Sequence, residues 1–248
     1  MEGTLSSYPK EVVGSAIAAL EKYGIINPVL VIAILSTISK ESGFKPKSET
    51  SYAGTNNARI RQIFGKRVGS LSEDQLTKLK ADPTAFFDHI YNGRYGNVAK
   101  GDGYKYRGRG LNQITFKGNY KAVGDIIGID LVNNPDKLND PIIASAAAAA
   151  YFIMFFKTGK TSGKLKERLG VNDVSEIKDP AMAVKAVIMA NAGWGTDFSA
   201  PVVQEGYKKA LSVYQEFAKS FSSIVNSAAK VVKENKGTVG AALFFLGL

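Results

Sequence analysis

The chain of 248 residues carries 32 Lys and Arg against 22 Asp and Glu, a formal net charge of +10. With 45% apolar and 22% charged residues it has the composition of a globular chain, one large domain or two small ones, and neither a disordered tail nor a coiled coil. The absence of Cys excludes a disulfide framework, thiolate metal sites and a Cys nucleophile; one His, His89, excludes a multi-histidine metal site and speaks against a Ser-His-Asp triad. Chemistry must therefore run on carboxylates, hydroxyls, amides or cations, and no cofactor or metal is expected. The positive charge points to polyanionic surroundings: nucleic acid, an anionic membrane or a charged cell wall.

The opening MEGTLSSYPKEVV has no basic stretch leading into an apolar one, so no signal peptide is expected. A first helix is predicted over Lys10 to Tyr23. Asn27-Pro28 reads as an N-cap with Pro at the first helical position, and Ser42-Gly43 as the stop. The intervening VLVIAILSTISKES is apolar nearly all round, which predicts a buried helix. Its β-branched residues would also suit a strand, but caps and length favour helix. From Phe44 to Tyr120 the composition changes to Gly, Asn, Ser, Thr, Arg and Tyr, with short periodic pieces such as Glu73–Lys80. Such long irregular segments are often functional. Asp140-Pro141 opens an Ala-rich helix to Phe156, and Asp179-Pro180 opens another that ends at Gly193. An amphipathic, charged helix is predicted over about Val202 to Ala218. A composition shift near Ser220 divides the chain into a mostly helical domain, 1–218, and an appendage, 219–248, with the apolar end Val239–Leu248. That end is too short to span a membrane.

Two clusters can carry chemistry. Glu41 closes the buried helix in Lys40-Glu41-Ser42-Gly43-Phe44. The negative end of the helix dipole and partial burial both disfavour its ionised form, the condition a general acid needs near neutral pH. Glu49 lies beyond the stop in a polar loop beside Lys45 and Lys47, which should keep it ionised. One protonated and one ionised carboxyl across a cleft is the pairing that glycoside hydrolysis uses. Among 22 acidic residues such pairs are common, so on composition alone a helix-end Glu and a solvated loop Glu is the more ordinary account. The second cluster, Gly101 to Thr115 and then Gly118-Asn119-Tyr120, mixes aromatics, Arg, amides and Gly. Sugar binding wants that mixture, RNA-binding segments share it, and a plain loop also fits.

Taken together the chain resembles glycoside hydrolase family 19, and within it the lysozyme-type bacteriophage peptidoglycan hydrolases more than plant chitinases. Lys40-Glu41-Ser42-Gly43-Phe44 is similar to the family's His-Glu-Ser/Thr-Gly-Gly acid motif, with Lys for His and Phe for the second Gly. Glu49-Thr50-Ser51-Tyr52 is similar to a Glu-Asn-Leu-Asn-Tyr stretch with a shortened middle. Ile90 to Asn97 resembles a Tyr-Gly-Gly-Arg-Met-Gly-Asn segment. Gly101 to Tyr120 resembles the Gly-Asp-Gly…Tyr-Arg-Gly-Arg-Gly-Leu-Ile-Gln-Leu-Thr…Asn-Tyr signature, the most specific of these matches. Gly128 to Pro135 and Asn191-Ala192-Gly193 follow in place, so the resemblance runs from about residue 10 to 218.

The resemblance implies an α+β fold, predominantly α-helical, a lysozyme-like domain with a small β-element near the cleft. It implies Glu41 as general acid, Glu49 as general base and Thr115 as the hydroxyl that helps hold the attacking water. Asp88 and Asp102 are the alternatives for the base. Gln113, Asn119 and Asn191 are implied as substrate-contacting amides, with Tyr52, Tyr106 and Arg109 as further substrate-binding residues. His89 is read as structural, Trp194 as a sugar-stacking or a core residue, and Lys157 to Lys166 as a solvated face or a wall contact.

The implied activity is inverting hydrolysis of β-1,4 links in peptidoglycan glycan strands by an endolysin-like, bacteriolytic enzyme. Its implied place of action is the bacterial wall, after release from the host cytoplasm or carriage in a virion. Anionic wall polymers, a membrane surface and phage virion proteins are the further partners; nucleic acid is not, since no helix-turn-helix, zinc or RNP-type motif is present. Glu-Ser-Gly-Phe followed by Gly-Leu-x-Gln-Ile also resembles lytic transglycosylases. A chitinase, and a virion or wall-binding protein with an inactive cleft, complete the alternatives.

Overall fold

The computed structural model describes residues 7–157, 167–192 and 197–234. Gly193, Trp194, most of Lys157 to Lys166 and the apolar end Val239–Leu248 lie outside the described residues. The fold is α+β and predominantly helical, as the sequence pattern implies, with one two-stranded antiparallel sheet among the described residues.

Helix α1 (Lys10–Lys22) buries Val12, Val13, Ala16, Ile17 and Leu20 on one face. Helix α2 (Pro28–Ser42) is buried from Leu30 to Ser39, so it runs through the core. The Asn27 side chain accepts from the Val29 N–H at 3.1 Å, and Gly43 ends the helix at φ 57°, a left-handed conformation that glycine adopts freely. Helices α8 (Pro141–Lys157), α9 (Pro180–Ala192) and α10 (Pro201–Glu234) close around it. Asp140 caps α8 through the N–H groups of Ile142 and Ile143, and Asp179 caps α9 through that of Met182. Alanines along α8 let α1 approach closely enough for Ser15 Oγ to donate to the Ile142 carbonyl at 2.9 Å. Burying each large aliphatic chain here contributes about 1.5–3 kcal/mol. Helix α10 extends past Ala218, so the composition shift near Ser220 falls inside a continuous helix. Among the described residues no helix is long and apolar enough to cross a membrane.

The segment from Phe44 to Tyr120 is more helical than its composition suggests. It forms α3 (Asn57–Phe64), α4 (Glu73–Ala81), α5 (Pro83–Tyr91), the single turn α6 (Asp102–Lys105) and the start of α7 (Lys117–Ile127). Asn56, Ser72 and Asp82 cap the first three by accepting from N–H groups in the first turn. Helices α3 to α5 bury Ile60, Leu76, Phe86, Phe87 and Ile90 in a second, smaller core. Between the two cores run β1 (Lys47–Ser48) and β2 (Arg109–Gly110), paired Lys47 to Gly110 and Ser48 to Arg109. The ladder continues one step, with the Glu49 N–H donating to the Gly108 carbonyl at 2.7 Å. This pairing fixes the position of Glu49.

Candidate active site

Glu49 leaves β1 at the rim of the smaller core. Its carboxylate accepts from the Tyr52 hydroxyl at 2.9 Å and from the Gly108 N–H at 3.2 Å. The Tyr91 hydroxyl reaches both oxygens, at 3.0 and 3.1 Å. Its backbone carbonyl takes a bond from Arg107 Nε at 2.9 Å. Each phenol is anchored by its ring: Tyr52 packs edge-on to Phe64, and Tyr91 stacks on Phe87 and meets Phe116 edge-on. Burial, then the Glu49 charge and the hydrogen bond to it, push both phenols well above the ordinary tyrosine range. They therefore stay neutral donors aimed at a carboxylate. Lys45 and Lys47, expected to keep Glu49 ionised, are not among its partners in the described residues. Its carboxylate is held instead by neutral donors.

Close approach at this point requires glycine. A Cβ on Gly108 would lie 2.9 Å from Gln113 Oε1 and 3.4 Å from Glu49 Oε2. Gln113 braces the wall: its Nε2 donates to the carbonyls of Lys47 at 2.9 Å and Gly110 at 3.2 Å.

Glu41 sits in the last turn of α2, on the larger core, with its side chain 34% exposed. It forms an ion pair with Lys40, and Asn191 Nδ2 at the end of α9 contacts its Oε1 at 3.4 Å. The Lys40 ammonium lies against Gly206 of α10, 3.3 Å from where a Cβ would stand.

Thr115 Oγ1 donates to the Gln113 carbonyl at 2.9 Å, which leaves its lone pairs as acceptors. Asn119 Nδ2 donates to the Thr115 carbonyl at 2.8 Å and holds that turn. Thus Glu49, Tyr52, Gly108 and Gln113 come together, Glu41 and Asn191 come together, and Thr115 and Asn119 share the adjoining turn.

Two expected substrate-binding residues are placed elsewhere. Tyr106 is 1% exposed, its hydroxyl donating to the Val132 carbonyl. Arg109 is 3% exposed, paired with Asp136 and bonded to the Lys105 carbonyl and the Tyr120 hydroxyl. Neither can meet a substrate; an aromatic and a cation in a Gly-rich strand turn support the fold from behind. The alternative bases are occupied too. Asp88 accepts from the N–H groups of Gly101 and Tyr104, and the buried Asp102 from those of Val98 and Ala99. His89 Nε2 pairs with the Arg67 carbonyl at 2.8 Å, a structural role. Sequence reasoning missed Tyr91 as a partner of Glu49. The signal was its place in the Ile90–Asn97 motif, to which no role was attached.

Comparison with known proteins points to one family. A family model for glycosyl hydrolase family 19, described as chitinase class I, matches residues 87–179. That stretch includes Tyr91, Gly108 and Thr115 and begins after both glutamates. A glycosyl hydrolase family 19 domain-containing protein of Haemophilus influenzae is 31% identical over 171 residues, 64% of this chain and 80% of the relative. Chitinase 11 of Oryza sativa subsp. japonica is 42% identical over 57 residues, 23% of this chain and 22% of that protein. An endochitinase of Persea americana is 46% identical over 61 residues, 24% and 18% of the two chains. The chain thus spans about a fifth of the length of these plant relatives.

Proposed function

The chain belongs to glycosyl hydrolase family 19 and is a glycosidase, and from that premise we propose that it hydrolyses the β-1,4 links of bacterial peptidoglycan with inversion. The observation that carries this reading is the difference between the two glutamates. Glu49, gripped by two phenols and an N–H, suits a base that stays in place while it takes a proton. Glu41, about a third exposed, paired with Lys40 and reached by one amide at long range, suits an acid that must reach a leaving oxygen.

In the proposed reaction Glu41 gives its proton to the glycosidic oxygen as the bond to the anomeric carbon breaks. Glu49 takes a proton from water, whose oxygen bonds to that carbon from the opposite face. Thr115, with its own proton committed to Gln113, accepts the water's other hydrogen. Water between sugar and base calls for roughly 6.5–9.5 Å between the carboxyls. Asn191, Asn119 and Tyr52 act from the positions described above, Tyr52 through Glu49 itself.

Peptidoglycan is favoured over chitin by the +10 charge, which draws the protein to anionic wall polymers or a membrane surface, and by the span of the match to a bacterial relative. We place the catalytic unit in 1–218 and regard 219–248 as an appendage. The enzyme is of the endolysin type that bacteriophages carry, and it acts at the wall from the host cytoplasm or from a virion, where virion proteins are its further partners. The chitinase reading draws on the printed activity of the plant relatives.

Purified sacculi digested with the protein provide the test. Muramic acid reducing ends, released as the inverted anomer in NMR spectra, are expected. Anhydromuramic ends instead would make it a lytic transglycosylase, oligosaccharides from chitin alone a chitinase, and binding without products an inactive wall-binding protein.

A further inference from the structure

The turn Gly93–Asn97 is built with unusual care around an exposed ring. Asn97 is fully buried, its amide donating to the Tyr91 carbonyl and its Oδ1 accepting from the Lys117 N–H at 2.8 Å. The Gly93 N–H donates to the Asn97 carbonyl, and the Asn97 N–H to that of Arg94. On this frame Tyr95, 70% exposed, stands at φ 43°, left-handed backbone that a bulky residue rarely adopts. The loop it touches is equally unusual: Phe116 has φ 76°. The two loops interlock through the Gly118 N–H to the Tyr95 carbonyl at 2.9 Å. A Cβ on Gly118 would stand 2.8 Å from that oxygen, so glycine alone permits the approach. Outliers held this firmly cluster at functional sites.

The exposed ring leads to the candidate base. Tyr95 lies 5.0 Å from Phe116, Phe116 lies 5.4 Å from Tyr91, and the Tyr91 hydroxyl grips Glu49. Arg94 holds its guanidinium over the Phe116 ring at 4.9 Å, and Val98, 83% exposed, enlarges the apolar surface of the turn. An exposed aromatic face, rigidly held, offers negative π-density to the polarised C–H groups of a sugar face. We propose that Tyr95 is a carbohydrate-stacking residue, forming a subsite for one pyranose of the glycan strand beside Glu49 and away from the bond that breaks. The choice of sugar rests on the glycan-hydrolase reading; the stacking itself does not need turnover.

The test therefore measures binding and cleavage separately. Full-length protein is pelleted with purified sacculi and titrated with an N-acetylglucosamine hexamer, for the parent and for Tyr95→Ala, Tyr95→Phe and Tyr95→Asn. Ala and Phe carry the same Cβ on the same backbone, so they differ only in the ring. Asn suits left-handed backbone and keeps the loop intact. Tyr95→Ala and Tyr95→Asn should weaken binding about tenfold, and Tyr95→Phe should stay within about twofold of the parent. In turnover, KM on long strands should rise with kcat nearly unchanged. Parent-like binding by Ala and Asn, or an equal loss in Phe, would overturn the proposal. A parent that binds through Tyr95 but cleaves no wall would sink the hydrolase reading and leave the subsite standing.

Discussion

Glu41 and Glu49 belong to neighbouring stretches of chain, yet two different regions of the molecule hold them. Glu41 ends a helix of the large core and meets a cation and a distant amide at a surface open to solvent. Glu49 stands where the small aromatic core meets the β1–β2 pair, with three groups donating to it from fixed positions. A partly exposed carboxyl at a helix end has room to approach the oxygen that it protonates. A carboxyl that must orient water gains from donors that allow one position, because orientation fixed beforehand is not lost at the moment of reaction. The contrast between the two supports, more than the presence of two carboxyls, is what suggests separate roles.

The sharpest way to break the comparison is to neutralise each carboxyl in turn. Glu41→Gln and Glu49→Gln should each slow wall cleavage by about 10²–10⁴-fold while leaving the melting temperature nearly unchanged. Initial rates on sacculi, followed by turbidity, decide the matter. A Glu49→Gln variant as fast as the parent, beside an inert Glu41→Gln, would leave a single catalytic carboxyl and favour the transglycosylase chemistry.

A smaller effect is expected from the donors. Tyr91→Phe removes an O–H shared by both oxygens of Glu49, and hydrogen bonds to charged groups are worth about 1.5–3 kcal/mol. The rate should fall about 10- to 100-fold, and less in Tyr52→Phe, which removes one bond. Both rings remain, so the small core should survive; parent-like rates in both variants would show that the phenols are only packing. Gly108→Ala addresses the same region sterically. Its Cβ must displace Gln113 from the Lys47 carbonyl, and we expect a stability loss of about 1–3 kcal/mol in thermal melts.

These donors also mark the limit of what sequence alone discloses. Asn27-Pro28, Asp140-Pro141 and Asp179-Pro180 announce their helices because capping is local chemistry between a side chain and the next few N–H groups. Glu41 is legible for the same reason, as the end of such a helix. Helices α3 to α5 are not legible as a unit. Each is short, and what stabilises them is a cluster of rings contributed by separate segments. Tyr91 is tied to Glu49 only by the tertiary fold, since the two residues stand 42 apart in the chain. Tyr106 and Arg109 fail in the opposite direction. Their residue types suit a cleft, but the turn directs them inward to Val132 and Asp136.

The support around Glu49 should also show in alkaline solution. Tyr52 and Tyr91 have folded-state pKa values above the unfolded value of about 10, so the folded protein holds their protons more tightly. Their contribution is complete below that pH and declines as pH rises through the unfolded range towards the folded one, because the unfolded chain then binds fewer protons. Tyr120, pushed up to about 12 chiefly by burial, acts in the same sense. Denaturant midpoints should fall above about pH 10, and the Tyr52→Phe, Tyr91→Phe double variant should show a shallower fall. Equal slopes in the two proteins would mean that these phenols titrate normally.

The smallest effect belongs to the other side of the comparison. Asn191 reaches Glu41 at 3.4 Å, near the limit of a hydrogen bond, and the carboxyl is partly exposed. Water can replace the amide there, so Asn191→Ala should cost only about 0.5–1.5 kcal/mol, a rate loss of roughly two- to tenfold. If Asn191→Ala instead matched Tyr91→Phe, the acid would depend on its neighbour as strictly as the base does. The two glutamates would then share one kind of support, and their surroundings would no longer distinguish an acid from a base.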